Sequence, residues 1–263
     1  MLLALTLGLV VGIILALTGA GGGILAVPLL VFGAGIGVAK AGPIGLMAVG
    51  MAAALGALLG LRQGIVRYRA ALLIAGAGML CSPAGLWLAH QIDNRALSVL
   101  FALVLLYVGW NNLAKARGKV AAVTPERQHC VRDPGSGRFI WTRPCARALA
   151  LSGMLAGLLS GLLGVGGGFV MVPALQRYTD LSMQSVVATS LAVIALVSAS
   201  GVAASALAGT LDWAVALPFA CGALAGMLGG RALAARLAGP HLQAGFGTVS
   251  GLVALGMIAK AVW

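Results

Sequence analysis

The sequence predicts an all-α integral membrane protein made of two homologous helical repeats, each with four or five membrane segments, on either side of a basic linker. The first observation is composition: 61% of the residues are hydrophobic and 8% are charged, whereas an average soluble domain has about 25% charged residues. The second is a series of uncharged apolar runs, each close to the roughly 20 residues that a bilayer-spanning helix needs. A water-soluble domain is excluded.

The third observation is a glycine-rich motif that occurs twice. Gly19-Ala-Gly-Gly-Gly-Ile-Leu-Ala-Val-Pro28 returns 145 residues later as Gly164-Val-Gly-Gly-Gly-Phe-Val-Met-Val-Pro173. The same offset, without a gap, pairs further residues of the two halves, among them Leu46 with Leu191, Gly56 with Gly201, Gly85 with Gly230 and Phe101 with Phe246. A recurrence of this kind indicates an internal duplication. The predicted units are membrane repeat 1 (1–114), a basic linker (115–147) and membrane repeat 2 (148–263).

Each repeat contains five apolar segments in order. They are 2–18, 24–39, 43–61, 70–90 and 97–114 in the first repeat, and 148–163, 168–178, 185–208, 214–235 and 242–262 in the second. The first segment lacks the basic lead and the cleavage site of a secretory signal, so we expect it to be retained as a helix. The second segment of each repeat is short and contains a proline. Irregular backbone within a bilayer is tolerated only where protein or water covers it, so these two segments predict broken or re-entrant helices near the centre.

Charges between the segments favour an inverted repeat. The turn between segments three and four is basic in the first repeat, whereas its counterpart in the second offers only Asp212. The next turn has the opposite bias, with Arg231 and Arg236 in the second repeat against Asp93 and Arg95 in the first. The positive-inside rule then puts equivalent turns on opposite sides of the membrane. Inversion needs ten crossings, and the alternative is eight crossings with parallel repeats, the short segments only dipping into the membrane.

The linker contains eight of the seventeen Lys and Arg residues, so the net charge of +12 reflects one segment and not a basic face. This concentration predicts a cytoplasmic linker and gives no support to a nucleic-acid partner. Cys130 and Cys145 are then expected to be reduced thiols. His129 beside Cys130 is too little to indicate a metal site, and no cofactor is expected.

The two glycine motifs are the candidate binding sites. Consecutive glycines allow a ligand to approach the main chain, and a half-helix that begins after them directs unpaired N–H groups and a positive dipole at one point. The alternative is that these glycines only allow tight helix packing. Thr189 and Ser190, which open a segment of the second repeat, could add hydroxyl donors, although membrane Ser and Thr commonly bond within their own helix.

Missing residue types exclude other classes of protein. No Asp, Glu, Lys or Arg lies in the middle of any segment, which disfavours a carboxylate-based proton or metal transporter. Ser160-Gly161 and Ser250-Gly251 could suggest an intramembrane serine hydrolase. All three histidines lie at segment ends or in the linker, away from a position where they could act as the base. The chain is not expected to be an enzyme.

These motifs carry a family resemblance. The doubled G-x-GGG-x4-P element, the Ala188-Thr-Ser-Leu191 sequence and the later Gly-Gly-Arg are similar to the sulfite exporter TauE/SafE family of bacterial membrane permeases. The resemblance implies a transporter of sulfite, organosulfonates or related small anions in the plasma membrane, without a bound cofactor. The matching positions it implies for substrate binding are Gly21, Gly22, Gly23, Pro28, Gly166, Gly167, Gly168, Pro173, Thr189 and Ser190. The first repeat departs from the family pattern, because Ile44 and Gly45 replace the hydroxyl pair.

The expected function is therefore secondary transport of a small anion by alternating access, with the lipid bilayer as the surroundings. Two alternatives stay open: a membrane scaffold or assembly protein that acts through the basic linker, and an anion channel. A homo-oligomer is compatible with the sequence, which gives neither the direction of transport nor the coupling ion.

Overall fold

A computed structural model describes residues 2–18, 21–116, 130, 139, 141–237 and 240–262. These residues form ten helices. Their bounds are α1 Leu2–Thr18, α2 Gly21–Gly33, α3 Val38–Arg62, α4 Tyr68–Gln91, α5 Asn94–Ala116, α6 Arg143–Leu163, α7 Gly168–Tyr178, α8 Met183–Leu207, α9 Trp213–Leu237 and α10 Pro240–Val262. Gly19 and most of the linker lie outside the described residues.

Six of these helices are long and apolar enough to cross a membrane: α3, α4, α5, α6, α8 and α9. Of the other four helices, α1, α2 and α10 contain shorter apolar stretches, and the fourth is the short helix α7. Many large apolar side chains face outward, for example Leu80, Trp87 and Leu207 at 80%, 66% and 90% exposure. Such a surface suits lipid and not water. The all-α membrane fold predicted from the sequence is confirmed.

The two short segments are confirmed as short helices that contain a proline. Helix α2 has 13 residues with Pro28 inside it, and α7 has 11 residues with Pro173 inside it. The bounds of α2 differ from the predicted 24–39, because the helix begins at Gly21 and ends at Gly33. The first glycine motif thus supplies the first turn of a helix, whereas in the second repeat two of the three glycines precede α7.

Glycines allow two long helix pairs to pack backbone to backbone. A β-carbon on Gly8 or Gly222 would overlap a main-chain oxygen of the facing helix in the α1–α9 pair. The same holds for Gly153 and Gly157 between α4 and α6. Membrane helices associate through such small-residue contacts because lipid removes the hydrophobic driving force between them. Both pairs run parallel, since their contacts advance in the same direction along the two helices.

Helix directions explain why the short helices exist. Helix α4 is parallel to α8, since Gly78 faces Val197 and Ser82 faces Gly201. Helix α6 is parallel to α4 and therefore also to α8. Because α7 lies between two parallel helices in the chain, it must return the chain toward the side where α6 began. Helix α2 does the same between α1 and α3.

The central pair α3–α8 runs antiparallel. Leu46 of α3 lies against Gly201 of α8, and Gly60 at the other end of α3 lies against Ala188. These two helices occupy equivalent positions at the offset of 145 residues. Their opposite directions agree with an inverted arrangement of the halves, and the duplication itself stays a prediction.

Basic residues concentrate on one side of this arrangement. Among the described residues, nine lie at helix ends on the side where α5 ends and α6 begins. They are Arg62, Arg67, Arg69, Lys115, Arg143, Arg147, Arg177, Arg231 and Arg236. Three lie at ends on the opposite side, namely Lys40, Arg95 and Lys260. By the positive-inside rule, this bias supports a cytoplasmic location for the linker side.

The expectation of reduced linker thiols is wrong in this structure, because Cys130 and Cys145 form a disulfide. The backbone N–H of Cys130 donates to the carbonyl of Tyr178 at 2.9 Å, which holds this part of the linker against the end of α7. Cys145 lies in the first turn of α6, and the two Cα atoms are 5.0 Å apart. This contact could not be predicted from the sequence, because the two cysteines lack a recognisable motif. His129, the neighbour of Cys130 in the sequence, lies outside the described residues.

Candidate functional site

The two glycine motifs meet beside the central helix pair. A β-carbon on Gly23 would overlap the carbonyl oxygen of Val165, and it would lie 3.3 Å from a methyl of Val49. A β-carbon on Gly166 would lie 3.3 Å from the same Val49 methyl. Val49 is near the middle of α3. The fold therefore brings the two motifs together at the centre of the helix bundle.

The second glycine motif forms an irregular turn, defined here as the glycine turn, residues 164–167. Gly164, Gly166 and Gly167 have φ values of 71°, 77° and 68°, a conformation that glycine adopts without steric cost. Gly164 also lies against the backbone of Gly42. All four residues of the turn are buried. The chain can reverse here inside the protein because the three positions with positive φ are glycines.

The glycine turn leads directly into the N-terminus of α7. The first four N–H groups of an α-helix have no partner within the helix. Gly167 is the N-cap residue, and no side chain caps the helix. The end of a helix dipole is equivalent to roughly half a positive charge. The N–H of Val170 already donates to the carbonyl of Gly167 at 3.1 Å, so the N–H groups that precede it are the donors. This buried end therefore offers donors and positive potential without any basic side chain.

The first glycine motif is arranged differently, because Gly21, Gly22 and Gly23 belong to α2 itself. A β-carbon on Gly22 would lie 2.5 Å from the backbone nitrogen of Leu15 and 2.6 Å from its side chain. Gly22 thus allows α1 and α2 to pack closely, as the packing alternative predicts. Pro28 is buried, whereas its counterpart Pro173 is partly exposed.

Thr189 and Ser190 lie away from the glycine turn and use their hydroxyls locally. The hydroxyl oxygen of Thr189 accepts from the backbone N–H of Arg67 at 3.1 Å, and Ser190 donates to the carbonyl of Val187 at 2.9 Å. On α8, the residues beside the glycine turn are Ile194 and Ser198. Thr189 lies five positions before Ile194 and nine before Ser198, or about 7 Å and 13 Å along the helix axis.

Sequence reasoning missed three buried hydroxyls, defined here as the serine cluster: Ser82, Ser160 and Ser198. Ser198 lies beside Gly166 of the glycine turn, whereas Ser82 lies beside Gly201, three residues further along α8. Each side chain is fully buried, and none of the three hydroxyls has a hydrogen-bond partner in the structure. A buried polar group without a partner costs about 1–3 kcal/mol. One feature of the sequence could have indicated them. At the offset of 145 residues, Ser82, Ser160 and Ser198 correspond to Met227, Leu15 and Ala53, so each hydroxyl occurs in only one of the two repeats.

The chain matches a known protein family over nearly its whole length. The profile of the family described as "Sulfite exporter TauE/SafE" matches residues 4–257. The chain belongs to this family. The resemblance expected from the doubled glycine motif is confirmed, and the protein is a multi-pass membrane transporter of the TauE/SafE family.

Similar proteins come from bacteria and an archaeon. A "Probable membrane transporter protein" of Xylella fastidiosa is 31% identical over 259 residues, which cover 97% of this chain and 92% of the relative. The "Probable membrane transporter protein YunE" of Bacillus subtilis is 25% identical, with 82% of each chain covered. A probable membrane transporter protein of Methanocaldococcus jannaschii is 28% identical over 205 residues. No solved structure gives a significant match.

Charged side chains of this TauE/SafE protein lie away from the glycine turn. Lys40 and Arg177, which follow the two short segments in the sequence, are both exposed. Arg231 donates to the side-chain oxygen of Gln63 at 3.1 Å and lies 3.5 Å from the carbonyl of Gly56. It thereby links α9 to the end of α3. No group of three His, Cys, Asp or Glu side chains that could bind a metal occurs within the described part of the chain.

Proposed function

We propose that this protein is a secondary carrier of a small oxyanion, with sulfite or an organosulfonate as the substrate class. The observation that carries the proposal is the uncapped N-terminus of α7 behind a buried glycine turn. Main-chain N–H groups at such an end bind anions directly. The family description names sulfite export, which agrees with a site of this chemistry.

Alternating access is the proposed mechanism. The contact between Gly23 and Val165 joins the two glycine motifs beside the antiparallel pair α3–α8. Carriers with inverted repeats bind substrate between the repeats and move one repeat against the other. The antiparallel pair supports that reading. Because the motifs touch at the centre, movement of either half would open the glycine turn toward one side of the membrane.

Flux measurements test the proposal. Purified protein in proteoliposomes should move sulfite or methanesulfonate down an imposed gradient, faster than protein-free vesicles. Substrate on the far side should accelerate this flux, because a carrier returns faster when loaded. The absence of flux for sulfite and methanesulfonate, with the protein folded and inserted, would contradict the proposal. Flux without acceleration by substrate on the far side would indicate a channel.

Deletion of linker residues separates transport from a scaffold role. Most of the linker lies outside the described residues, so the test rests on sequence position alone. A carrier should retain flux after removal of residues 119–128. Loss of a bound partner protein with no change in flux would assign the linker a separate docking role, whereas a protein without any flux would leave the scaffold hypothesis as the better one.

A further inference from the structure

We propose that the oxyanion binds at only one of the two glycine motifs, at the glycine turn, where the hydroxyls of Ser160 and Ser198 complete the N-terminus of α7. This inference rests on the proposed function and specifies its binding site. It differs from the sequence prediction, which relied on a pair of sites with Thr189 and Ser190 as the hydroxyl donors.

Ser198 lies directly at the glycine turn. A β-carbon on Gly166 would lie 3.2 Å from the Ser198 hydroxyl oxygen. The side chain is fully buried and its hydroxyl has no partner. Ser198 follows Ile194 by one turn on the same face of α8, and Ile194 also contacts Gly166. One face of α8 therefore brings a free hydroxyl to the turn.

Ser160 approaches the turn from the other side. A β-carbon on Gly167 would lie 2.6 Å from the carbonyl oxygen of Ala156 on α6. Residues four positions apart share a face of a helix, so Ser160 extends the face that touches Gly167. Its hydroxyl is buried and has no partner. The turn and the start of α7 therefore lie between two hydroxyl donors from α6 and α8.

Other serines of the chain make the hydrogen bond within their own helix that Ser160 and Ser198 lack. Serine in a membrane helix commonly donates to a carbonyl three or four residues earlier. Ser152, Ser200 and Ser205 all do so, at 2.7 Å, 2.8 Å and 2.8 Å. Ser160 and Ser198 leave that bond unmade. Their hydroxyls can therefore donate to an anion without breaking an existing hydrogen bond.

The first glycine motif has no equivalent donors. The positions that correspond to Ser160 and Ser198 at the offset of 145 residues are Leu15 and Ala53. Leu15 is fully buried and packs directly against Gly22. An apolar side chain therefore fills the place where the second motif has a hydroxyl. An oxyanion would lose its hydration there without gaining comparable donors.

Binding of sulfite and methanesulfonate to the purified protein, measured by isothermal titration calorimetry, tests the assignment. Loss of one hydrogen bond to a charged ligand weakens binding by about ten- to a hundredfold. Ser160→Ala and Ser198→Ala should each increase Kd by this factor and reduce flux. Ser250→Ala is the matched control, because Ser250 is also buried without a partner but lies against Gly109 of α5. Its Kd should equal that of the wild type.

Each result has a distinct meaning. Wild-type binding and flux, with unchanged Kd in Ser160→Ala and Ser198→Ala, would overturn the one-site assignment and leave the proposed function intact. A wild-type protein that neither binds nor moves these anions would overturn both. Size-exclusion profiles and thermal unfolding identify misfolding. If either alanine variant unfolds early, the threonine variant at the same position, which retains the hydroxyl, must bind the anion like the wild type for the assignment to hold.

Discussion

The two glycine motifs share one sequence pattern but adopt two different local structures. In the first, Gly21–Gly23 form the opening turn of α2 and allow it to pack against Leu15. In the second, the glycine turn adopts positive φ angles and leads to an uncapped helix end beside free hydroxyls. A repeated motif therefore need not mean a repeated site, because the surrounding side chains decide whether glycine serves packing or binding.

Substitution of one glycine in each motif should separate these roles most strongly. Gly166→Ala would put a methyl group 3.2 Å from the Ser198 hydroxyl, and a left-handed alanine costs about 1–2 kcal/mol. We expect oxyanion flux to be abolished while the protein still folds. Gly22→Ala would overlap main-chain atoms of Leu15, which typically costs about 1–3 kcal/mol as overpacking. Thermal unfolding and flux should be measured for both variants. If Gly166→Ala and Gly22→Ala lost anion binding equally per folded molecule, the two motifs would not have different roles.

Truncation at equivalent positions should give opposite effects on stability. Leu15→Ala removes a fully buried side chain and should destabilise the protein by about 2–5 kcal/mol. Ser160→Ala removes a buried hydroxyl that has no partner. Its stability should stay the same or rise slightly, because no hydrogen bond is lost. Thermal unfolding in detergent measures both effects. Strong destabilisation by Ser160→Ala would indicate a hydrogen bond that stabilises the fold.

Thr189→Val tests whether a hydroxyl predicted from the sequence binds the anion in place of the serine cluster. The Thr189 hydroxyl accepts from the backbone N–H at the start of α4. Its loss should reduce stability by about 1 kcal/mol and leave sulfite affinity unchanged. The sulfite affinity of Ser198→Ala, measured in the same way, provides the reference. A weaker affinity in Thr189→Val, equal to that of Ser198→Ala, would return the site to the Thr189–Ser190 position.

The disulfide should have the smallest effect on transport. Charge placement favours a cytoplasmic linker, a compartment that keeps most thiols reduced. In this structure Cys130 and Cys145 are nevertheless joined by a disulfide. We therefore expect neither residue to react with a maleimide reagent until a reductant is added, because a disulfide has no free thiol. Flux should be the same for Cys130→Ser and the wild type. Labelling of both cysteines without a reductant would contradict the disulfide.

Much of the fold could be predicted from apolar segment lengths and from Pro28 and Pro173, because these features act locally. The approach of the two glycine motifs to each other also followed from the requirement to cover irregular backbone within a bilayer. The hydroxyl donors could not be predicted in the same way. Ser160 and Ser198 belong to different helices, and only packing determines which helix faces meet the glycine turn. The unequal local structures of the two motifs likewise depend on neighbours such as Leu15, distant from any motif.

A structure determined with bound selenite, an anomalously scattering oxyanion, tests the one-site account most directly. We expect a single selenium peak within the bundle, in hydrogen-bonding contact with the N–H groups at the start of α7 and with the hydroxyls of Ser160 and Ser198. A peak at Gly21–Gly23, equal peaks at both motifs, or a peak beside Thr189 would contradict it.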